Sequence, residues 1–338
     1  MLFTVARLEQ IYAAFFSKIG IPEDELKILT RCVMSADLRG VHAQGIHHLP
    51  MICHLVQDGT WVPRAPFQII SEDGCTALVD GNKGIGPVVA TKAMELAIKK
   101  ALNQGLGCTV VRNGNDIGMT ANYTMMAISH GCIGIATTHG TPKVAPWGAR
   151  EPFFATNPIS IAIPAREKYP IVIDMATSVV ARGKIVHAAE KGEKIPEGWA
   201  IDRSGKSTTD PNEALKGALL TFGGYKGYGL AIVADALSGA LAGLSMARAA
   251  KAKRPTNSGQ FYMAIRIASF SGDFFKDAID ELISEIKSSQ RMPGFSEILL
   301  PGEQEYRTEE KSRGIGVEIP DFLWENVKKL AHELNVNI

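Results

Sequence analysis

The sequence predicts an α/β fold in which a central sheet domain is flanked by helices from both chain ends. Three observations support this. The first sixty residues carry apolar side chains at helical spacing, the chain from residue 67 onward alternates short β-branched runs with helical stretches, and residues 320–334 again show one apolar helical face. We therefore expect a helical domain from residues 1–70 and 308–338, and an α/β domain from residues 71–307.

The N-terminal helices are predicted from apolar spacing and from residues that stop a helix. A first helix carries one apolar face and stops at Gly20, a second starts after Pro22 and ends near Gly40, and a third covers about residues 45–57, bent at Pro50. The apolar positions of the first helix are Val5, Leu8, Ile11, Tyr12, Phe15 and Phe16.

The α/β part shows strand-like and helix-like segments in alternation. Strands are predicted at residues 76–79, 108–111, 133–138, 159–163, 171–173 and 261–267. Helices are predicted at residues 88–102, 119–129, 228–241 and 274–288. Residues 246–255, which contain a cluster of basic side chains, are predicted to form a surface loop.

Composition excludes several classes of protein. The chain has 338 residues, is 46% hydrophobic and 21% charged, and carries a net charge of +1, so no global field attracts nucleic acid or an anionic membrane. No apolar run is long enough to cross a bilayer, and the N-terminus has no signal-peptide pattern. Five cysteines without a CxxC pair indicate free thiols in a reducing compartment. We expect a cytoplasmic protein with no nucleic-acid or membrane partner.

The most informative segment is the apolar run at residues 171–173 with the polar residues after it. It places Asp174 at the carboxyl end of a strand, where ligands bind in open α/β sheets. The alternative is that Asp174 and Ser178 only cap a helix starting near Thr177.

Known nucleotide motifs are absent or incomplete. Gly84-Ile-Gly86 follows a strand and opens a helix, but Val89 stands at the sixth position of the dinucleotide fingerprint, so we interpret these glycines as a tight turn. The segment Gly223-Gly-Tyr-Lys-Gly-Tyr-Gly229 is more unusual, because its glycines let a ligand approach the backbone and Lys226 suits a phosphate. The alternative is a flexible helix start with a solvated lysine. No zinc or nucleophile-elbow motif occurs, so we expect no metal site.

These segments together resemble the malate/L-lactate dehydrogenase-like family of NAD(P)-dependent 2-hydroxycarboxylate oxidoreductases. The matching segments span nearly the whole chain: Asp37-Leu-Arg-Gly-Val41, Ala145-Pro146, Ala155-Thr-Asn-Pro158, Ile173-Asp-Met-Ala-Thr-Ser178, Gly183-Lys184, Gly198-Trp-Ala200, Thr208-Thr-Asp-Pro211, Gly223-Gly-Tyr-Lys-Gly-Tyr-Gly-Leu230 and Pro301-Gly-Glu303. The resemblance implies a non-Rossmann fold with a mixed sheet of about seven strands and helices on both faces, and a homodimer whose active sites lie near the subunit interface.

The resemblance also implies which residues bind the cofactor, NAD or NADP. They lie at the strand end after residue 173, in the glycine-rich segment, in the Pro-Gly-Glu segment and near residue 140, and they are Asp174, Met175, Ala176, Tyr225, Lys226, Gly302, Glu303 and Gly140.

The substrate side departs from the family pattern. Where the family usually has Ser-His-Gly followed by Arg-Leu-Pro, this chain has Ala43-Gln44-Gly45 followed by His48-Leu-Pro50, and Asp116 replaces the usual histidine of a His-Phe-Gly segment. The family's Asn-Ser pair is His139-Gly140. The cofactor segments therefore match the family, whereas the substrate segments largely differ.

Three residues remain as candidates for the chemistry. His48 can act as the acid or base, Asp116 can orient it or act itself, and Gln44 can hydrogen-bond a substrate without transferring a proton. Further side chains that could hold a carboxylate are His42, His47 and Lys143.

The leading hypothesis is an NAD(P)-dependent oxidoreductase acting on a small 2-hydroxy or 2-oxo carboxylate through an atypical pocket. Two alternatives stay open at this point. The chain is a cofactor-binding relative that has lost dehydrogenase activity, or it reduces a cyclic imine or a substrate without a carboxylate.

Overall fold

The structure is a computed structural model that describes residues 1–244 and 258–338. The predicted surface loop at residues 246–255 lies outside the described residues. The strands are β1 Leu2–Phe3, β2 Gln68–Asp73, β3 Thr76–Asp80, β4 Leu106–Gly114, β5 Cys132–Thr138, β6 Ile159–Ile163, β7 Ile171–Met175, β8 Ala200–Ile201, β9 Ala218–Leu219, β10 Ser258–Arg266 and β11 Val317–Glu318.

The helices occupy the chain ends and the connections between strands. They are α1 Val5–Lys18, α2 Glu23–Leu38, α3 Leu49–Gln57, α4 Gly86–Gln104, α5 Ala121–Ile128, α6 Arg182–Lys191, α7 Pro211–Lys216, α8 Tyr225–Asp235, α9 Asp273–Ser288, α10 Glu303–Ile315 and α11 Asp321–Leu334. In the described parts of the chain, no helix combines the length and apolar character needed to cross a membrane.

Seven strands form one mixed sheet in the order β2-β3-β4-β10-β5-β6-β7. Strands β3 and β4 run parallel, and every other neighbouring pair is antiparallel. Adjacent residues of β4 point to opposite faces of the sheet. Val111 packs in a hydrophobic core with residues of α4, and Val110 packs in a second core with Ala242, which lies beyond the end of α8. The predicted mixed sheet with helices on both faces is therefore confirmed.

The helices of the two chain ends share one hydrophobic core. Leu8 and Phe15 of α1, Leu49 of α3, and Leu323 and Val327 of α11 are all buried in it. Strands β1 and β11 pair and hold the two ends together. This packing agrees with a helical unit built from both chain ends, although the domain limits at residues 70 and 307 stay a prediction.

Two predicted helix starts are wrong. The predicted helix at residues 45–57 begins only at Leu49, after two 3-10 turns at His42–Gln44 and Ile46–His48, and Pro50 lies in the first turn of α3 instead of bending it. No helix begins at Thr177, because residues 178 and 221 form a β-bridge, and α6 starts later, at Arg182. In both places long-range contacts fix the backbone.

Strand β2 and helices α6, α7 and α10 lack the pattern that identifies an element from sequence. Every residue of β2 is exposed, so it shows no alternation of apolar and polar residues. In α10 the residues buried are Glu303 and Ser312, so the helix carries no apolar face. These elements are held by tertiary contacts that local sequence does not show.

The two glycines of the incomplete fingerprint allow α4 to begin close to its neighbours. A Cβ on Gly86 would overlap the carbonyl oxygen of Asp116, and one on Gly84 would lie 2.8 Å from the Val89 side chain. The interpretation of this segment as a tight turn fits this packing, and the turn supports the backbone of a candidate catalytic residue.

Replacing Gly86 with alanine is therefore expected to destabilise the protein by about 1–3 kcal/mol, because the added methyl must displace the Asp116 main chain. The measurement is urea-induced unfolding. Gly314 in α10 is the matched control, since a Cβ there meets nothing within 4 Å and alanine favours a helix. Equal stability of the two variants would contradict the predicted packing.

Candidate active site

The three candidate catalytic residues lie around one small cavity. Gln44, His48 and Asp116 line it together with Asn122 and an apolar wall. The wall consists of Cys32, Val33, Ile52, Trp61, Pro87, Ile117, Gly118 and Met119. The room inside is about 10 Å³, enough for about one water molecule. A cavity of this size cannot hold a substrate by itself, so a substrate site here would need residues outside it.

The loop that carries Gln44 and His48 is held by the buried carboxylate of Asp37. Asp37 accepts hydrogen bonds from the Tyr12 hydroxyl and from the Ile46 N–H, which lies 3.2 and 3.1 Å from its two oxygens, and His42 Nδ1 lies 2.8 Å from Oδ1. Gly45 lies so close to this carboxylate that any side chain there would overlap it. His42 thus serves the loop and does not face the cavity.

Asp116 follows β4 and is exposed at the mouth of the cavity. Its Oδ1 accepts a hydrogen bond of 2.9 Å from the Gly118 N–H, which closes a tight turn. The preceding Asn115 is fully buried and donates to the carbonyls of Lys83 and Gly84. The carboxylate is therefore presented on a rigid backbone.

Charge at the site comes from two cations and one anion. Burial lowers the pKa of His48 and the Asp116 carboxylate opposes this, so His48 is neutral at neutral pH. Burial also lowers the pKa of the Lys143 ammonium, Arg182 lowers it further, and Asp116 again opposes the change. These effects show that Lys143 lies within electrostatic range of both Asp116 and Arg182. His47 is exposed and does not line the cavity.

One acceptor at the cavity is unsatisfied. The side-chain oxygen Oε1 of Gln44 is buried and finds no hydrogen-bond partner among the described residues. A buried acceptor without a donor costs about 1–3 kcal/mol. The cavity therefore favours a water or a ligand that brings a donor to Gln44.

The segment after β7 lies beside the glycine-rich segment. Thr177 N donates to the Thr156 carbonyl at 2.8 Å, Phe222 N donates to the Thr177 carbonyl at 3.1 Å, and Val179 N donates to Leu220 O at 2.9 Å. A Cβ on Gly227 would also lie 2.8 Å from Thr177 O. The predicted cofactor residues at 174–176 and 225–226 are thus brought to one edge of the sheet.

Asp174 caps a helix, but one that is distant in sequence. Its Oδ2 accepts a hydrogen bond of 2.7 Å from Ala121 N, the first residue of α5. Desolvation raises the pKa of this carboxyl to about 7, while the Ala121 hydrogen bond and the charge of Arg39 oppose the rise. The residue as a whole is exposed, so solvent screening reduces this shift. The capping alternative therefore applies to α5, whereas Ser178 donates to Val180 O and caps no helix.

The start of α8 presents an open backbone beside exposed aromatic rings. Gly224 has a φ of 61° and lies against the Trp147 ring, and no side chain caps the first turn of the helix. Trp147 is 62% exposed and Tyr225 65% exposed, and Lys226 is also exposed. A helix start, a cation and flat apolar surfaces suit a dinucleotide.

The Pro-Gly-Glu segment is less available to a ligand. Glu303 is buried, with Lys287 Nζ at 2.6 Å, an Arg307 nitrogen at 2.5 Å and a hydrogen bond from Leu300 N. Gly302 has a φ of 85° and packs against Val172 of β7. Glu303 is thus occupied in fixing the start of α10.

His139, which precedes Gly140, is buried in a polar cluster under α8. The Gly259 N–H donates to its Nδ1 at 3.3 Å, and the Ser238 hydroxyl lies 3.4 Å from the same atom. Burial lowers the pKa of His139, while the nearby Asp235 and a hydrogen bond to the Ser238 backbone carbonyl oppose the change. An Nδ1 that accepts a hydrogen bond is unprotonated, so the imidazole is neutral in the folded protein.

His139→Asn is expected to reduce the loss of stability at low pH. The folded protein binds a proton at His139 less readily than the unfolded chain does, so the stability this group contributes is present above about pH 6.5 and falls as the pH drops below it. The measurement is the free energy of unfolding of both proteins between pH 5 and pH 8. The exposed His54 supplies the control variant His54→Asn. Parallel pH curves for wild type and His139→Asn would show that His139 is not the group responsible.

Sequence reasoning missed three contributors to this region. Asp37 was noted as part of a matching segment, but its role in the loop depends on contacts with Tyr12 and Ile46. Arg182 directly precedes the matching Gly183-Lys184 pair and was not singled out. Trp147 was also passed over, although a tryptophan between Pro146 and Gly148 is a recognisable signal of an exposed turn.

Comparison with known proteins identifies the family. Residues 3–328 match the family described as malate/L-lactate dehydrogenase. The L-sulfolactate dehydrogenase of Methanocaldococcus jannaschii is 42% identical over 325 residues, covering 95% of this chain and 94% of that protein. A Delta(1)-pyrroline-2-carboxylate/Delta(1)-piperideine-2-carboxylate reductase of Pseudomonas putida is 30% identical over 331 residues, covering 96% and 95%. The crystal structure of malate dehydrogenase from Entamoeba histolytica superimposes with a TM-score of 0.95 at 29% identity, covering 100% of this chain and 99% of that one.

The fold and the relatives define a dehydrogenase or reductase that acts on CH–OH or C=N groups. The chain belongs to the malate/L-lactate dehydrogenase family. A nicotinamide cofactor follows from that membership.

Proposed function

We propose that this protein transfers a hydride between NAD or NADP and carbon 2 of a small 2-hydroxy or 2-oxo carboxylate. The observation that supports the proposal is that Lys143 lies within electrostatic range of Asp116, at the cavity, and of Arg182, which follows the segment after β7. The proposal sets the cofactor at residues 174–176 and 225–226, and the chemistry at His48, Asp116 and Lys143. The substrate belongs between them.

The residues at this edge fit a dinucleotide in part. The glycine start of α8, with Lys226 and the exposed rings of Trp147 and Tyr225, suits a diphosphate and a flat ring system. Met175 is 40% exposed at the end of β7. A Cβ added at Gly140 would lie 3.7 Å from Ala155 Cβ and 3.8 Å from Ser258 Oγ, which are ordinary contact distances. Glu303 does not fit as a ligand, because its charge is already paired.

The bound nicotinamide would supply or accept the hydride. Lys143 and Arg182 would hold the substrate carboxylate, since Lys143 lies within electrostatic range of both Asp116 and Arg182. His48, neutral at neutral pH, would take the hydroxyl proton when a hydroxy acid is oxidised. Asp116 would stabilise the imidazolium that forms.

The protein is further proposed to act in the cytoplasm as a homodimer. The five cysteines are free and four of them are buried, which fits a reducing compartment. An exposed apolar surface along α8 fits a contact between subunits: Leu230, Ile232 and Val233 are 36%, 41% and 49% exposed. Sedimentation analysis tests the dimer.

The decisive experiment is titration of the purified chain with NADH and NADPH, followed by fluorescence, and a turnover assay over a panel of 2-oxo acids. We expect binding of at least one dinucleotide and measurable turnover. Lys226→Ala should weaken binding, whereas Lys329→Ala on the distant α11 should not. Absence of any dinucleotide binding would refute the proposal.

A further inference from the structure

Strand β10 lies between β4 and β5 in the sheet, and its pairing with β4 is irregular at one point. Ser258 of β10 pairs with Gly114 of β4. The next pair joins Gln260 to Val111, so β4 contains one residue more than β10 over this step. Such a β-bulge can redirect a side chain, and bulges are frequent beside active sites. This one lies just before Asp116 in the chain.

The side chain of Gln260 lies against the main chain at the end of β4. A Cβ on Gly114 would lie 2.5 Å from Gln260 Nε2, so only glycine leaves room for the amide. Gln260 Nε2 donates to the carbonyl oxygen of Asn115 at 3.0 Å, and Gln260 Oε1 accepts from the Tyr262 hydroxyl at 2.9 Å. Gln260 and Tyr262 are 0% exposed. Water therefore cannot replace either hydrogen bond.

The main chain on the other side of Asp116 is held by a second buried tyrosine. The Tyr123 hydroxyl donates to the carbonyl oxygen of Ile117. The ring of Tyr123 meets the ring of Tyr262 edge to face, with centroids 5.8 Å apart. Burial raises the pKa of both tyrosines, so their hydroxyls stay protonated and act as donors. The two carbonyls that flank Asp116 are thus tied to this tyrosine pair, one directly and one through Gln260.

The position of the Asp116 carboxylate depends on this main chain. The residue is exposed, and its carboxylate accepts a hydrogen bond from the Gly118 N–H of its own turn. In the proposed mechanism this carboxylate stabilises the imidazolium of His48, so it must lie at the right distance from that ring. A misplacement on the order of 1 Å can cost about 10²-fold in rate.

We propose that Gln260 is a positioning residue for the reaction, because it fixes the main chain that presents Asp116 to His48. Tyr262 orients the Gln260 amide, and Tyr123 holds the far side of the turn. This inference rests on the proposed function, since it concerns the group that stabilises the proposed base.

The test measures oxidation of L-malate, L-lactate and L-sulfolactate by the full chain, with the dinucleotide it binds. Gln260→Met keeps the length of the side chain and removes both hydrogen bonds. We expect kcat to fall at least about tenfold. KM and dinucleotide affinity should stay nearly unchanged, because Lys143, Arg182 and the cofactor segments are no part of this network.

Tyr262→Phe is the milder variant, and it carries the test if Gln260→Met does not fold. It removes one hydroxyl, leaves the ring against Tyr123, and keeps the amide of Gln260. We expect kcat to fall about two- to tenfold, the rate equivalent of one hydrogen bond. KM should again stay nearly unchanged.

A double-mutant cycle separates positioning from a general loss of structure. If Gln260 acts through Asp116, Gln260→Met should lower kcat much less in an Asp116→Asn background than in the wild type. Ile283→Ala is the control, because it removes buried apolar volume on α9, which does not line the cavity. It should lower the urea midpoint of unfolding and leave kcat unchanged.

Several outcomes overturn the inference and leave the proposed function intact. They are an unchanged kcat in Gln260→Met and Tyr262→Phe, losses that multiply fully in the double variant, and an equal loss of kcat in Ile283→Ala. If the wild type binds no dinucleotide or oxidises none of the three acids, the inference fails together with the proposed function.

Discussion

Replacing His48 with alanine is expected to lower kcat for oxidation of a 2-hydroxy acid by about 10²–10⁴-fold. Among the described residues that line the cavity, His48 is the neutral base that Asp116 can stabilise as a cation once it has accepted the hydroxyl proton. Dinucleotide affinity should stay unchanged, because His48 lines the cavity and the proposed cofactor residues follow β7 and begin α8. Steady-state kinetics and fluorescence titration measure the two quantities.

The pH dependence gives this prediction a second readout. A base must be unprotonated to act, and the pKa of His48 lies below its usual value. The rate of oxidation should therefore hold through neutral pH and fall only below about pH 6.5.

His47→Ala is the matched control for His48→Ala. His47 is the adjacent residue in the same 3-10 turn, is exposed, and does not line the cavity. It should retain nearly wild-type turnover. If both variants lose oxidation activity equally, the effect comes from disturbance of the turn and the base role of His48 is wrong.

Replacing Asp37 with asparagine is expected to destabilise the protein by about 2–4 kcal/mol and to remove most of its turnover. Both carboxylate oxygens accept the Ile46 N–H, and Tyr12 and His42 also contact this group. Asparagine supplies one acceptor oxygen and turns an N–H group toward a donor. The residue is 0% exposed, so water cannot replace the lost hydrogen bonds.

Urea unfolding and kcat/KM, measured on the same samples, test this prediction. Asp73→Asn makes the same chemical change at an exposed position of β2 and should cost less than about 0.5 kcal/mol. Unchanged stability and turnover in Asp37→Asn would mean that the loop holds itself without the carboxylate.

Much of the fold follows from local patterns. The apolar spacing of Leu8, Ile11 and Phe15 specifies α1, and the β-branched runs of β6 and β7 specify two strands. Each of these patterns lies within a single element and can be recognised without its neighbours. The exposed β2 and the charged α10 have no such pattern. Helices α3 and α8 begin at residues other than the predicted ones for another reason, because distant groups fix the chain at their starts. The Asp37 carboxylate fixes the loop before α3, and the carbonyl of Thr177 contacts the start of α8.

The candidate site divides in the same way. Family motifs indicated the positions of Asp174, Lys226, Gln44, His48 and Asp116, and the structure places the last three around one cavity. The sequence did not show which groups these side chains contact. Asp174 caps α5, and Glu303, expected beside the cofactor, is paired with Lys287 and Arg307.

By itself, the sequence determined the family, the mixed α/β sheet and the loss of the usual substrate residues, because motifs and periodicity are local properties of the chain. Only the tertiary structure decided what the replacements do. Whether His48 is charged, whether Gln44 has a partner and which cations stand near Asp116 all depend on burial and on groups far away in sequence. Desolvation and through-space charge set these properties, and neither is encoded in the spacing of residues.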